Sequence, residues 1–540
     1  MLTLPLDPTD DLASPAFKDA ASCAQWLGQL QLTNLHLAHG KLRVQLDEFN
    51  RYPMRCLERM HTLETLRETV ASVQADYAKK LVAKKLPLSA DELTVFVAII
   101  GLWQGMVTGY RRCLQDYLAG NAQLSPYGAL LCQRCLLYSG LQIFEYLRSG
   151  YEFDSGLWHQ LHALYAFSEE QGLQLEEVAD NLNGNTHPAS CRATYAKILL
   201  ACHANRPELT RKQLQLMDHW LTLWSSTITV ERNYTVSKGD ALPLAVDLDS
   251  LQGLQLTRQI NPSGNVRYLA MVPLSKLLRV KLILLQQGQS PQQLDLGEGC
   301  SSADCSEFLN YLHQCWCEER GNRLAERRET LQDAQVCYGM ESCFAYVANK
   351  PFKQPAGGAG VDTLSRKQIE SFGRVLSDTD RHDLALMGYL LETWQIEDES
   401  ISGARLIRKG GGGVRLGTSQ LIAVRPANAK AFMLGIVSWV KVTQAGQLHT
   451  GVRYLPGIPQ AIAMKASGVN AGATDKYSAA LLLPAMPALR TPASLVIPRD
   501  RFQSGRVVEI VQMEKEKLNL RMDFSVENGL DYERVSFTQV

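Results

Sequence analysis

Two textures divide the chain. From residue 17 to about 240, apolar residues recur at helical spacing: Trp26, Leu27 and Leu30, then Leu42, Leu46 and Phe49, then Cys56-Leu-Glu-Arg-Met-His-Thr-Leu-Glu-Thr-Leu. One apolar stripe with a period near 3.6 marks a helix that buries one face and wets the other. The same spacing returns over 129–147, 158–171 and 211–224. Only Leu35 and Leu37 interrupt it, alternating as a strand would. Breaks fall at Leu86-Pro-Leu-Ser, Asn121, Ser149-Gly-Tyr, residues 181–188 and Asn205-Arg-Pro, where Gly, Pro and Asn end helices. The pattern predicts about seven to ten helices stacked pairwise, without a fixed repeat.

After Asn233 the period shortens. Residues 242–248, 253–258 and 267–272 alternate as short strands, Pro273 to Leu285 reads as a helix, and a second helix is predicted from Ser302 to Arg328. Strands resume at 392 and continue to the end. Ile436, Ser438 and Val440 face one way in this pattern, and Val437, Trp439 and Lys441 the other. Gly446 offers a hairpin turn into 449–455. Further strands are predicted at 404–408, 414–416, 479–483, 494–497, 506–513 and 518–524. The expected fold class is α+β and multidomain. A helical N-terminal half covers 1–240, an α+β middle region 241–322, a third part 323–458 whose strands from 392 alternate as in an antiparallel barrel or strongly curved sheet, and a β-rich C-terminal domain 459–540.

Composition narrows the function. The 540 residues are 46% apolar and 20% charged, a globular balance. Lys+Arg and Asp+Glu both number 55, so the basic excess of a nucleic-acid-coating protein is missing. The 13 cysteines fall in no framework spacing, which predicts free thiols in a reducing, cytoplasmic setting. Residues 93–110 form an uncharged run long enough to span a bilayer, but Thr94, Gln104, Thr108 and three glycines within it predict a buried bundle helix. Cys132-Gln-Arg-Cys135 lies mid-helix, where both thiols can face a core. Cys300, Cys305, Cys315, Cys317 and His313 lack the paired knuckles of a zinc site. No Ser–His–Asp arrangement, kinase signature, Rossmann fingerprint or His-Glu-x-x-His appears, so no enzyme is predicted.

The remaining chemistry lies in Trp394-Gln-Ile-Glu-Asp398-Glu-Ser400-Ile-Ser-Gly403-Ala-Arg405. A carboxylate accepts from guanine N–H donors, a hydroxyl donates and accepts, and a glycine lets backbone or ligand come close. Arg323-Leu-Ala-Glu-Arg327, with Arg328 adjacent, supplies guanidinium forks that can clamp phosphate or stack on a purine. Leu434-Gly-Ile-Val-Ser-Trp439-Val and Gly451-Val-Arg-Tyr-Leu455 follow. In this order the segment resembles the PilZ domain, a small bacterial β-barrel that binds cyclic di-GMP. The resemblance implies a barrel over 323–350 and 392–458 and a non-catalytic cyclic di-GMP receptor whose helical half is the output or protein-partner part. It also implies a ligand set of Arg323, Arg327, Arg328, Asp398, Ser400, Gly403 and Arg405, with no other cofactor. One departure is large: Arg327 and Asp398 are 71 residues apart, which places an insertion at about 351–391. The alternative is a degenerate barrel that serves as an interaction or scaffold module. Lys409-Gly-Gly-Gly-Gly413 lacks the Gly-Lys-Ser/Thr end of a P-loop and reads as a link between strands, with Arg405, Arg408, Lys409 and Arg415 raising local anion affinity.

Overall fold

Side-chain caps set where many of the helices begin. Asp19, Asn34, Ser89, Ser190, Thr210 and Ser301 each accept a bond from the backbone N–H three residues on. Such a bond satisfies an amide that the helix itself leaves open. In a computed structural model of the chain, the described residues are 2–81, 85–182, 187–235, 242–261, 264–318, 328–355, 384–410, 412–467, 476–512 and 517–540. The helices that follow are α1 (Ala20–Gly28), α2 (Leu35–Arg51), α3 (Cys56–Ala78), α4 (Ala90–Leu118), α5 (Gly128–Ser149), α6 (Gly156–Glu170), α7 (Cys191–Ala204) and α8 (Arg211–Trp224). Leu35 and Leu37 therefore sit in a helix, because the Asn34 cap overrides their strand-like alternation.

The short strands β1 (Thr229–Glu231), β2 (Leu244–Asp247), β3 (Gln255–Leu256) and β4 (Val266–Ala270) form one antiparallel sheet in the order β1-β4-β2-β3. Helices α9 (Val272–Gln286) and α10 (Ser302–Cys317) follow. All of this belongs to one unit, Met1–Ala83 with Leu88–Asn322. Its single large core runs from Phe17 to Trp316. The uncharged run of α4 is a member of that core through Phe96, Ile99, Leu102, Met106 and Tyr110. Among the described residues α4 is the one helix long and apolar enough to cross a membrane, and half of its most apolar window is buried.

The second unit, Lys84–Pro87 with Arg323–Val540, holds two barrels. The first is built from β5 (Arg328–Tyr338), β6 (Glu392–Ser400), β7 (Gly403–Arg408), β8 (Leu421–Pro426), β9 (Met433–Val442) and β10 (Leu448–Tyr454), with helix α11 (Gly339–Ala348) after β5. It closes in the order β10-β7-β6-β5-β8-β9, every pair antiparallel. The second barrel is β11 (Gln460–Ala466), β12 (Ser478–Leu483), β13 (Ser494–Pro498), β14 (Val507–Val511), β15 (Lys517–Asn528) and β16 (Tyr532–Gln539), in the order β11-β12-β13-β16-β15-β14. Closure removes the exposed edges that antiparallel sheets must otherwise protect. Between the barrels, α11 lays Met340, Cys343 and Phe344 against Leu421, Leu434, Leu481 and Val496.

Several expectations need correction. The helix predicted through Arg328 ends at Cys317, and Arg328 begins a strand. Residues 414–416 form no strand; Leu416 makes only an isolated bridge to Leu86, and the chain enters the barrel again at Leu421. Strands β1, β8, β11 and β16 have no counterpart among the predicted strands. Cys300 and Cys305 are joined as a disulfide over the start of α10, so the thiols are not all free. Cys132 and Cys135 are buried in α5, and burial raises both thiol pKa values, that of Cys135 to about 12. His313 bonds Ser275 and Glu318 rather than joining the cysteines. Most of the insertion expected at about 351–391 lies outside the described residues.

The helical core holds one dense ionic network. Arg134, almost wholly buried, donates to both oxygens of Glu64, to Gln133 and to the Ala179 carbonyl. Arg67 donates to Glu64, Asp180 and Tyr138, and Tyr110 donates to Glu64. Burial alone would raise the Glu64 pKa, but the two arginines and Tyr110 outweigh it and lower it to about 2. We expect Arg134→Ala to cost about 3 kcal/mol, because it leaves the half-buried Glu64 with Arg67 and Tyr110 alone and opens the space of an almost wholly buried side chain. Glu64 stabilises the fold fully above its unfolded pKa near 4.5, and that contribution is lost as pH falls from there towards about 2. Thermal melts of the wild type and of Arg134→Ala between pH 7 and 3 check both. An acid-induced loss of equal size in the two proteins would contradict the assignment.

Candidate functional site

The Asp398–Gly403 hexad is a hairpin. Ser400 pairs with Gly403 across a two-residue turn, and Asp398 pairs with Arg405. The Ser400 hydroxyl donates to the Gly403 carbonyl at 3.2 Å and lies 3.2 Å from the Ser402 hydroxyl. Gly403 has a structural reason to be glycine: a Cβ there would sit 2.1 Å from the Val452 carbonyl oxygen on the neighbouring strand. The bare glycine thus lets β10 close against the hairpin.

Across β6 from the hairpin lies the start of β5. Arg328 is directly opposite Glu399, and Glu329 is opposite Asp398. Continuing around the barrel, one row reads Glu329, Asp398, Arg405, Gly451 and Trp439. Three strands are irregular at this level. Register slips between Glu329 and Gln332 on β5, between Ile396 and Asp398 on β6, and at Ser438 on β9. A β-bulge inserts a residue, re-aims its neighbours, and is over-represented beside functional sites. The bulge at Ser438 also corrects the alternation read from the sequence. Val437 and Val440 both pair with residues on the buried side, whereas Trp439 lies on the outer face.

Arg405 lies on that outer face. Its Nε is 2.5 Å from a Glu397 carboxylate oxygen, with both side chains about one-third exposed. Its guanidinium also comes within 3.4 Å of His449 Nδ1. Glu397 is the residue that the β6 bulge displaces, so the irregularity is what delivers its carboxylate to Arg405. Arg405 faces Gly451, where a Cβ would fall 2.0 Å from the Trp439 indole nitrogen. The absent side chain lets the indole lie across the strand next to Arg405. Sequence reasoning quoted Trp439 and Gly451 but gave neither a site role. The available signal was a glycine inside a strand, which often marks a close approach.

The row offers a flat aromatic ring, a guanidinium and a carboxylate on one exposed face. An indole or guanidinium stacks on a purine, and a carboxylate accepts from amino and imino N–H groups. Of the predicted set, the structure brings Arg328, Asp398, Ser400, Gly403 and Arg405 to one end of the first barrel. Arg323 and Arg327 lie outside the described residues. Arg408 does not belong to a surface anion patch. It points into the barrel, paired with Glu392 at 3.2 Å and with its guanidinium 5.3 Å from the Trp394 ring centre. Among the described residues no group of three or more His, Cys, Asp and Glu side chains is arranged to hold a metal.

Three comparisons bear on this geometry. Residues 21–234 match the family model described as the N-terminal domain of the cyclic-di-GMP receptor FimW. Residues 463–540 match the model described as the FimW C-terminal beta-barrel domain. The candidate face lies between the two matched stretches. A curated protein of Pseudomonas aeruginosa named "Cyclic-di-GMP receptor FimW" is 21% identical over 93% of this chain and 88% of its own length. Together these matches support kinship with a family of cyclic di-GMP receptors, and neither family description is that of an enzyme. A solved structure titled "MrkH, A novel c-di-GMP dependence transcription regulatory factor" covers 41% of this chain and 91% of its own. It has 6% identity and a TM-score of 0.13, too low to carry any argument.

The Trp439–Gly451 contact is testable without a ligand. Gly451→Ala should cost about 1–3 kcal/mol by forcing the indole from its place. In a Trp439→Ala background the same change should cost much less, a coupling that a double-mutant cycle of melting temperatures measures. Additive losses would show that the ring is not held there.

Proposed function

We propose that this chain is a non-catalytic receptor for cyclic di-GMP that holds the nucleotide on the outer face of the first barrel. In this reading the barrel is PilZ-like and the helical half is the output part. The observation that carries it is the pairing of Arg328 with Glu399, one residue from both Asp398 and Ser400. The strand that follows the Arg323–Arg327 motif thus runs beside the Asp398–Gly403 hairpin, despite the 71 residues that separate the two motifs in sequence. Kinship with a cyclic di-GMP receptor supports the ligand independently of this face.

Each residue then has a role set by its chemistry. Asp398 accepts from guanine N–H donors. Arg405 and the Trp439 ring offer stacking surfaces, and Arg328, with Arg323 and Arg327, supplies positive charge for the phosphates. Such a receptor shifts the balance between two arrangements of its parts only by the ligand's differential affinity for them.

A second reading has its own support. Ser400 is bonded within its own turn, Gly403 is explained by Val452, and Arg405 is held by Glu397. Every one of these contacts would also exist in a barrel that binds no nucleotide and serves as a scaffold.

Calorimetric titration of the full chain with cyclic di-GMP decides between them. On the first reading, Arg328→Ala and Asp398→Ala each weaken binding about ten- to a hundredfold, the loss of one charge-assisted bond of about 1.5–3 kcal/mol. Asp398→Ala should do so with little change in melting temperature, since a surface carboxylate contributes little to the core. Intact affinity with lowered stability would reduce Asp398 to a turn residue. Glu397→Gln should act in the opposite sense. It releases Arg405 from its carboxylate, so affinity should rise severalfold, and an unchanged or lower affinity would count against Arg405 as a ligand.

A further inference from the structure

Strand β10 places a histidine between two cations beside the candidate face. Leu448 and Thr450 are buried, so alternation along the strand turns His449 outward. Directly opposite it on β9 stands Lys441, whose chain neighbours Val440 and Val442 are likewise buried. On β7 the residue opposite is Ile407, and Arg405, two positions earlier, reaches His449 diagonally. Its Nη2 lies 3.4 Å from Nδ1 of the ring. On the other side of the ring, Nε2 lies 3.4 Å from Gln447 Oε1. Charge thus comes to the imidazole from Arg405 on β7 and Lys441 on β9, with Glu397 of β6 behind Arg405.

These contacts fix the state of the ring. A guanidinium can only donate, so Nδ1 is the acceptor and the ring proton sits on Nε2, facing the Gln447 side-chain oxygen. The imidazole in this arrangement is neutral. Protonating it would set an Nδ1–H against the Arg405 N–H and add a third positive charge beside Arg405 and Lys441. An anionic oxygen seated against both Nδ1 and the guanidinium removes both penalties, because it accepts from each donor. Hydrogen bonds between ionised partners are also roughly twice as strong as neutral ones.

We infer that His449 is a further contact of the nucleotide and makes the face pH-sensitive: the ring takes up a proton when a phosphate oxygen of the ligand seats against both it and Arg405. The inference rests on the reading that this face holds cyclic di-GMP, and adds to it a residue and a dependence on pH. The ligand favours the charged ring, so binding takes up a proton and affinity rises as pH falls. Imidazole is the side chain whose charge ordinarily changes between about pH 5 and 8, a window in which a phosphodiester stays ionised. The proton brings the face a positive charge that Glu329, Asp398 and Glu399 on β5 and β6 do not supply.

The test is calorimetric titration of the full chain with cyclic di-GMP at about pH 8 and about pH 6, each in two buffers of different ionisation heat. One coupled proton changes affinity by at most about tenfold per pH unit, and the wild type should bind about tenfold more tightly at the lower pH. The difference between buffers should show net proton uptake. His449→Gln and His449→Asn, whose amides cannot gain a proton, should each change affinity by less than about twofold over the same range. Circular dichroism checks that each variant is folded. A wild-type affinity that is flat or falls with falling pH, no net proton uptake, or a pH dependence that persists in the variants would overturn the inference and leave the receptor reading standing. No binding by the wild type at either pH would overturn the receptor reading, and this inference with it.

Discussion

The pairing of β5 with β6 is the constraint on which the candidate face depends. Residues 339–391 separate the two strands in sequence, yet they lie antiparallel from Arg328 opposite Glu399 to Val336 opposite Glu392. Loop closure explains why so long an excursion is tolerated. The entropy of bringing two chain ends together grows with the logarithm of loop length, so each doubling adds only about 0.6 kcal/mol. A ladder of backbone bonds and the buried pair Ala334 and Trp394 offset that readily. The 71-residue gap between the motifs is therefore a small thermodynamic matter. What the face requires is that β5 finds β6 in this register, because a one-residue slip would turn Arg328 and Glu329 to the opposite sides.

Much of the architecture could be read from the sequence, for a physical reason. The helical period of the N-terminal half reports burial of one stripe, and α3, α5 and α8 appear where Leu63, Leu136 and Leu221 predict them. The strands of both barrels were legible wherever alternation was clean. Apart from the strands that went unpredicted, failures occurred where one residue changed the parity. The bulge at Ser438 moved Val437 to the side opposite Trp439, and no pattern of period two can encode an inserted residue. Arg328 read as the end of a charged helix because local spacing cannot reveal a strand partner at Glu399. Of the site, the residue types and hairpin were visible in advance. The Arg405–Glu397 contact and the Trp439–Gly451 contact were not, since both are made between residues brought together only by bulges and barrel closure.

The second barrel buttresses the first. Its Tyr532, Leu481 and Val496 share one buried cluster with Leu421 and Leu434 of the first barrel and Phe344 of α11. Asp531 accepts the Leu421 backbone N–H at 2.9 Å, tying β8 to the turn before β16. Arg453, opposite Gly403 in the ladder, is ion-paired with Glu527 of β15. Both contacts tie the first barrel to the second. A binding face held on paired strands keeps its geometry better than one built on loops, and here the C-terminal barrel supplies part of the support.

Charge at the face sets how an anion could be held there. Glu329, Glu397, Asp398 and Glu399 outnumber Arg328 and Arg405 on these adjoining strands. Glu329 directly opposite Asp398 is a like-charge pair, which destabilises a ladder unless a cation intervenes. A dianionic nucleotide gains nothing from this end of the barrel unless cations are released to it or brought to it. Arg405 can be released only by giving up Glu397. Binding is then an exchange of ion pairs and not an addition of new ones. On the proposed reading the net Coulomb gain is small, so stacking on Trp439 together with N–H bonds to Asp398 would have to supply most of the selectivity.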